Sequence, residues 1–387
     1  MANTLTNLIP DIYAALDVVS RELVGFIPAV ARDSSADRIA LNQTLRVPVS
    51  PANAAGGDIT PAMSFPSASN QTFTNATLTI SKSRFFPFSW TGDEQYSMNA
   101  GPGFLNLKQG QIAQAIRAAV AEIEADIATA ASAGASRAFG TTAGTAPVLA
   151  DWSGAKKILD DNGAPMSDRA TVINTTAGAG LRNTSALYQV NTAGESGLLR
   201  NGTLGNLYGF DIRESAQVIT PTAGTLTSAS TASGALTVGQ TTLTLKTSTG
   251  TGKAIAGDII TLANDTNKYV VVSTNQAGAD PGTGETVTIA APGLRKAQAT
   301  GERAITTFAT STRNIALSRN AILLATRLPV IPVEGDLASD RMTISDPMSG
   351  LTFEVSVYPG FRMNVYHLSV CWGVSIIKPE HLAIIIG

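Results

Sequence analysis

QIAQAIRAAVAEIEADI, residues 111–127, decides how the rest of the chain is read. Ile112, Ile116, Val120, Ile123 and Ile127 recur at helical spacing and share one face. The pattern extends from Phe104 to about Arg137, and about 34 residues at 1.5 Å each would span roughly 50 Å. That is longer than a small domain needs. The spacing approaches a heptad, but Ala-rich flanks, Gly134 and few flanking charge pairs argue against a coiled coil. A strut laid across a sheet fits better.

Upstream, Leu45 to Pro102 is rich in Pro, Thr and Asn and poor in apolar residues. Leu45-Arg46-Val47-Pro48-Val49 alternates, and Thr77-Leu78-Thr79-Ile80 can return beside it, with an irregular tip around Gly56-Gly57-Asp58. Such a ribbon is barely stable alone and must lean on something. Pro48, Pro51, Pro61, Pro66 and Pro87 are expected at edges or tips, because each removes a ladder donor. One dense cluster, Phe85-Phe86-Pro87-Phe88-Ser89-Trp90, should not sit in water. It either packs on the chain's own long helix or anchors a contact with another copy, where buried aromatics carry much of the energy.

Before the ribbon, Leu8, Ile12, Leu16, Val19 and Leu23 repeat at helical spacing, with Pro10 suited to a first turn and Gly25 and Pro28 as stops. This is either a core helix or an arm that docks on a partner. After Ala31 the pattern turns extended. Beyond a Gly140–Ala146 linker the chain is conventionally globular: a short helix over Trp152, Ala155, Ile158 and Leu159, ended by Gly163 and Pro165, a buried strand Arg169–Asn174, then a turn and strand over Leu207–Ile212.

From Thr220 to Arg303, Thr, Ser, Gly and Ala dominate, and short alternating runs separated by turns predict a small β-barrel or sandwich. It looks inserted, since a helix-like pattern (Ile315, Leu317, Ala321, Ile322, Leu324) follows it. The tail reads as sheet, with Leu351–Val357 and Met363–Ile377 joined by a Pro359-Gly360 turn, and Ile384, Ile385 and Ile386 buried.

Composition narrows the function. With 387 residues, 27 basic and 29 acidic, net charge is -2 and 14% of residues are charged, against roughly 25% usual in soluble domains. Little charge keeps copies apart, which suits a subunit that buries its surface in a lattice. No basic balance points to sequence-specific nucleic-acid binding. The single cysteine, Cys371, permits no intrachain disulfide and reads as a small buried hydrophobe. No charged leader precedes an apolar core, and no apolar run reaches membrane-span length, so the chain is expected to fold in the cytoplasm without a membrane partner.

No catalytic constellation, metal site or cofactor site is expected. Only His367 and His381 occur: His367 reads as a strand residue and His381 as exposed. Gly250-Thr251-Gly252-Lys253-Ala254 lacks the spacing of a phosphate loop, and Gly178-Ala179-Gly180 lacks a third glycine. Asp258, Asp265, Asp280 and Glu285 match no calcium loop and read as solvated turn carboxylates. Asp151, Asp160, Asp161 and Glu195 sit where helix ends or turns want them.

The order of parts resembles the major capsid protein of tailed bacteriophages, the Hong Kong 97 fold. More narrowly, Leu159-Asp160-Asp161-Asn162-Gly163-Ala164-Pro165 running into Arg169–Asn174, and Leu199-Arg200-Asn201-Gly202 followed by Leu207-Tyr208-Gly209-Phe210-Asp211, resemble short-tailed (podovirus) coat proteins, which carry an inserted β-domain. The resemblance covers essentially the whole chain and implies an α+β architecture. Its parts would be an N-terminal arm (1–40), an extended loop (41–102), the spine helix of a peripheral domain (103–145), an axial/peripheral α/β region (146–219), the inserted domain (220–303) and the axial return with the peripheral sheet (304–387). It implies a non-enzymatic subunit that self-assembles as hexamers and pentamers of an icosahedral shell around double-stranded DNA, which it touches non-specifically. Scaffolding, portal and possibly decoration proteins would be partners, in the host cytoplasm during assembly and in the virion afterwards. Contact candidates are Phe85, Phe86, Phe88, Trp90, Leu45, Val47, Ile12 and Leu16. Some relatives cross-link loop lysines; Lys82 is the only lysine in this loop and no carboxylate is matched to it, so no cross-link is expected. Asn275–Glu285 is the candidate projecting loop of the inserted domain. Two other readings stay open: a β-rich adhesin or tail-associated binding protein, which would need exposed aromatics where only Tyr269 occurs, and a hydrolase, for which the inventory offers no nucleophile and base.

Overall fold

The structure, a computed structural model, describes residues 24–49, 61, 63, 74–99, 104–140, 144–188, 202, 204–246, 249–282, 284–345 and 350–387. The chain enters through a short helix, α1 (Phe26–Ala29), with Phe26 and Ile27 fully buried, and turns extended in β1 (Ala31–Ile39). β2 (Thr44–Val49) and β3 (Thr74–Thr79) form the expected antiparallel ribbon, Leu45 opposite Leu78 and Val47 opposite Ala76. β4 (Lys82–Thr91) leads into α2 (Gly92–Asn99). That helix starts on a reciprocal pair: Glu94 N donates to Thr91 Oγ1 at 3.3 Å and Thr91 N to Glu94 Oε2 at 2.8 Å.

The long helix, α3 (Phe104–Gly134), ends before the expected Arg137. A Cβ at Gly134 would strike the Ile376 side chain, and Arg137–Phe139 is drawn into strand β5. The α/β part follows as α4 (Leu149–Asp161), the fully buried β6 (Arg169–Ile173), α5 (Thr175–Arg182), α6 (Ser185–Tyr188), β7 (Asn206–Leu207) and β8 (Phe210–Glu214). Asn174 caps α5 by accepting from Ala177 N at 2.8 Å. The inserted part contributes β9 (Ala229–Ser230), β10 (Thr242–Thr244), β11 (Ile259–Leu262), β12 (Lys268–Thr274), β13 (Thr286–Ile289) and β14 (Ala304–Thr307). The return comprises β15 (Arg313–Ser318), β16 (Ile322–Pro329), β17 (Asp340–Ser345), β18 (Thr352–Gly360), β19 (Met363–Ile376) and β20 (Leu382–Ile386).

Two large sheets organise these elements. In the six-stranded sheet, β1-β16-β19-β18-β17 run side by side and β4 covers the other edge of β19. The twelve-stranded sheet runs β7-β8-β6-β15-β20-β5-β12-β11-β14-β9, with β10 and β13 off this path. The strands between residues 229 and 307 therefore continue this sheet through β5, the strand that follows the long helix, while keeping a core of their own around Leu243, Ile260, Tyr269, Val271 and Val287. The spine bridges both sheets: Ile116, Val120, Ile123 and Ile127 share one apolar core with Phe353, Val355, Leu368 and Trp372 of the first and Ile315, Leu382 and Ile384 of the second.

Several expectations are corrected. Ile315 to Leu324 is not helical but two strands joined by a single 3-10 turn, Arg319–Ala321. All six residues of β15 are buried, and a strand buried on both faces loses the alternation that marks strands in sequence. Phe85–Trp90 lies in β4, and Pro87 falls as expected on an edge strand, since among the described residues β4 pairs only with β19. Pro359 and Gly360 end β18; the turn is Phe361-Arg362, with Arg362 at φ 56°. Asp258 and Asp265 are buried, not solvated: Asp258 accepts from Gly224 N and Ile255 N, and Asp265 from Asn267 N and Tyr269 Oη. His381 is half-buried.

Candidate intersubunit surface

Strand alternation divides the aromatic cluster in two. Trp90 is buried, and Phe86 and Phe88 pack on the spine core with Tyr366, whose ring stacks on Phe88 at 5.0 Å. These three therefore serve the chain's own core. Phe85 and Pro87 point to the opposite face and stay exposed. There Phe85 stacks on His367 at 4.8 Å, and His367 meets Tyr358 at 4.9 Å, so three rings from β4, β19 and β18 form one row across the sheet. Burial among these rings pulls the His367 imidazole below its usual range.

The ribbon sits at the other end of β19. Ser81 N donates to Trp372 O at 3.1 Å and Ser375 Oγ to Thr77 O at 3.3 Å. Gly373 is needed at this crossing, since a Cβ would collide with the Thr79 carbonyl oxygen. Leu78 and Ile80 are buried at the base with Ile39 and Cys371, and Leu45 packs beside them half-buried. Along β2 exposed and half-buried residues alternate, which puts Leu45, Val47 and Val49 on one half-covered face. Cys371 is buried as expected, and burial pushes its thiol up.

Lys82 does meet carboxylates, both on its own spine: Nζ lies 3.0 Å from Glu122 and 2.9 Å from Asp126, and 5.7 Å from the Trp372 ring centre. Burial lowers the ammonium's pKa, but the bonds and charges of Asp126 and Glu122 more than offset it and raise the net value. Trp372 Nε1 donates to the other oxygen of Asp126 at 2.7 Å.

Ile12 and Leu16 lie outside the described residues, as do Glu195 and most of the 199–202 motif. Where the described chain begins, Glu124 of the spine fixes it. Its buried carboxylate accepts from Gly25 N (3.2 Å), Phe26 N (3.0 Å), Ile27 N (2.6 Å) and Ser215 Oγ (2.8 Å). Burial outweighs these bonds and raises its pKa. In the inserted domain Tyr269 is wholly buried, and the 275–285 loop folds back, Glu285 accepting from Ala277 N and Gly282 N and Asp280 from Gly252 N. Among the described residues, no group of His, Cys, Asp and Glu could hold a metal, and no helix is long and apolar enough to cross a membrane.

Sequence reasoning missed His367 as the partner of Phe85 and Tyr358 as the partner of His367. Their only signal is strand register, which alternation within one strand does not reveal.

No family model matches the chain, and no curated protein matches it. Solved structures similar to it include one from Mycobacterium phage Che8 (13% identity, 96% of this chain and 90% of that chain, TM-score 0.46). Others are the capsid structure of cyanophage P-SCSP1u (10% identity, 92% and 86%, TM-score 0.47) and the virus-like particle from Pyrococcus furiosus (9% identity, 97% and 98%, TM-score 0.42).

Proposed function

We propose that this chain is the major capsid subunit of a tailed bacteriophage, of the Hong Kong 97 type with a podovirus-like inserted β-domain, and not an enzyme. Its copies close as hexamers and pentamers into an icosahedral shell around double-stranded DNA, touched non-specifically. Scaffolding and portal proteins join it in the host cytoplasm, and the shell persists in the virion. The observation that carries the reading is the ribbon: among the described residues β2 and β3 pair with each other and with no other strand, yet they present Leu45, Val47 and Val49 on one half-covered face. Its base rests on β19 of its own chain, but the Val47–Val49 end stays half covered, and because a two-stranded ribbon is marginal in water a second surface would complete it. The outward ring row at Phe85 adds a second apolar area open to another copy.

The adhesin reading finds less support, because Tyr269, the only aromatic residue between Thr220 and Arg303, is fully buried. Negative-stain electron microscopy of the full-length protein, expressed with its neighbouring genes, tests the proposal. Uniform shells tens of nanometres across uphold it. A soluble monomer or trimer, with scaffold present, overturns it.

A further inference from the structure

Among the described large apolar side chains, four of the most exposed gather at the hairpin end of the six-stranded sheet: Val333 (105%), Phe361 (92%), Leu337 (87%) and Tyr96 (85%). They fall into two patches. Val333 and Leu337 lie in the 330–339 loop, which leads into β17 at one edge; Ser339 N binds Val357 O at 2.8 Å. Phe361 turns the β18–β19 hairpin, and Tyr96 follows β4 at the opposite edge, tied there by the Gly92 N to Arg362 O bond of 3.0 Å. In the order β17-β18-β19-β4 the two edges stand three strand spacings apart, about 14 Å.

The loop holds a definite shape. Asp336 accepts from Ala338 N at 3.0 Å and from Tyr358 Oη at 3.0 Å and pairs with Arg341, while Gly335 N closes a turn onto Pro332 O at 2.9 Å. Apolar groups presented on an ordered loop lose little entropy when they are covered. The patches also differ in charge. Glu334 is exposed on the loop with no ion-pair partner among the described residues, whereas exposed Arg362 lies over the Phe361 ring at 5.9 Å in the other patch.

We propose that these patches form a head-to-tail contact between copies of this chain, the 330–339 loop of one lying on Phe361, Tyr96 and Arg362 of the next. The inference rests on the assembling-subunit reading and says which surface joins which. Apolar anchors meet apolar anchors, and Glu334 faces Arg362. Because the two patches differ, one on the loop leading into the edge strand β17 and the other centred on the β18–β19 hairpin, the contact is heterologous, and a rotation between copies closes it into a ring.

The test is charge exchange in the full-length protein, expressed where the wild type forms shells. Glu334→Arg and Arg362→Glu should each lower shell yield about tenfold, with the double variant recovering most of it. Leu337→Asp should also block assembly, with the thermal midpoint of the unassembled chain unchanged. Singles that assemble like wild type, or a double no better than the singles, overturn the contact. If the wild type forms no shells, the capsid reading fails by itself. Sedimentation velocity of the soluble chain at rising concentration then decides: self-association lost in the singles and regained in the double upholds the contact, and a concentration-independent monomer overturns it.

Discussion

Glu124 Oε1 accepts a hydrogen bond from the Ile27 backbone N–H at 2.6 Å, across 97 residues of sequence. With the bonds from Gly25, Phe26 and Ser215, one spine carboxylate fixes where the N-terminal segment enters the core. Glu124→Ala leaves these buried donors without an acceptor and should cost about 3 kcal/mol of stability, some of it recovered by water entering the space. The urea midpoint measures it; a loss below about 1 kcal/mol would show that water replaces the carboxylate fully.

The same group sets a pH dependence. Burial raises its pKa above the ordinary 4.5, so the folded chain holds this proton more tightly than the unfolded one. Its stability contribution is fully present below about 4.5 and is lost as pH rises through the raised value. The stability of wild type relative to Glu124→Gln should therefore improve as pH is lowered from 7 toward 5. A difference constant with pH refutes this.

His367 works in the opposite sense. Burial lowers its pKa from 6.5, so its contribution is present above 6.5 and is lost as pH falls through the lowered value. His367→Phe keeps a ring between Phe85 and Tyr358 but cannot titrate. Thermal midpoints below pH 6.5 should fall less in the variant than in wild type.

Phe85 and Trp90 should behave differently although they are five positions apart in one strand. Trp90→Ala removes a buried core side chain and should cost about 3–5 kcal/mol of folding stability. Phe85→Ala should leave unassembled stability within about 0.5 kcal/mol while weakening assembly. Equal losses in both variants would place Phe85 in the core as well.

Lys82 is held as a cation between Glu122 and Asp126, and a protonated amine is no nucleophile. Assembled material boiled in detergent should therefore run as a single band near 39.9 kDa. A ladder of higher species would show cross-linking through some other group.

The spine, the ribbon, the inserted β region and the buried tail were legible because each repeats its pattern locally: Ile116 to Ile127 at helical spacing, Leu45 to Val49 by alternation. The reversal at β15 and β16 was not, since strands buried on both faces carry no alternation to read. The contact candidates were half legible. Alternation within Phe85–Trp90 already separates two faces, but which face meets the spine depends on pairing with β19.

The sequence by itself determined which segments are apolar, that a long helix starts at Phe104 and that one arm lacks a core of its own, because periodicity and composition act over neighbouring residues. Only the tertiary structure decided that Phe86, Phe88 and Trp90 turn inward and Phe85 outward, that Glu124 receives the segment at Gly25–Ile27, and that the strands between residues 229 and 307 join the twelve-stranded sheet through Arg137–Phe139. These depend on register and on hydrogen bonds between residues far apart in the chain, and no local pattern encodes such pairings.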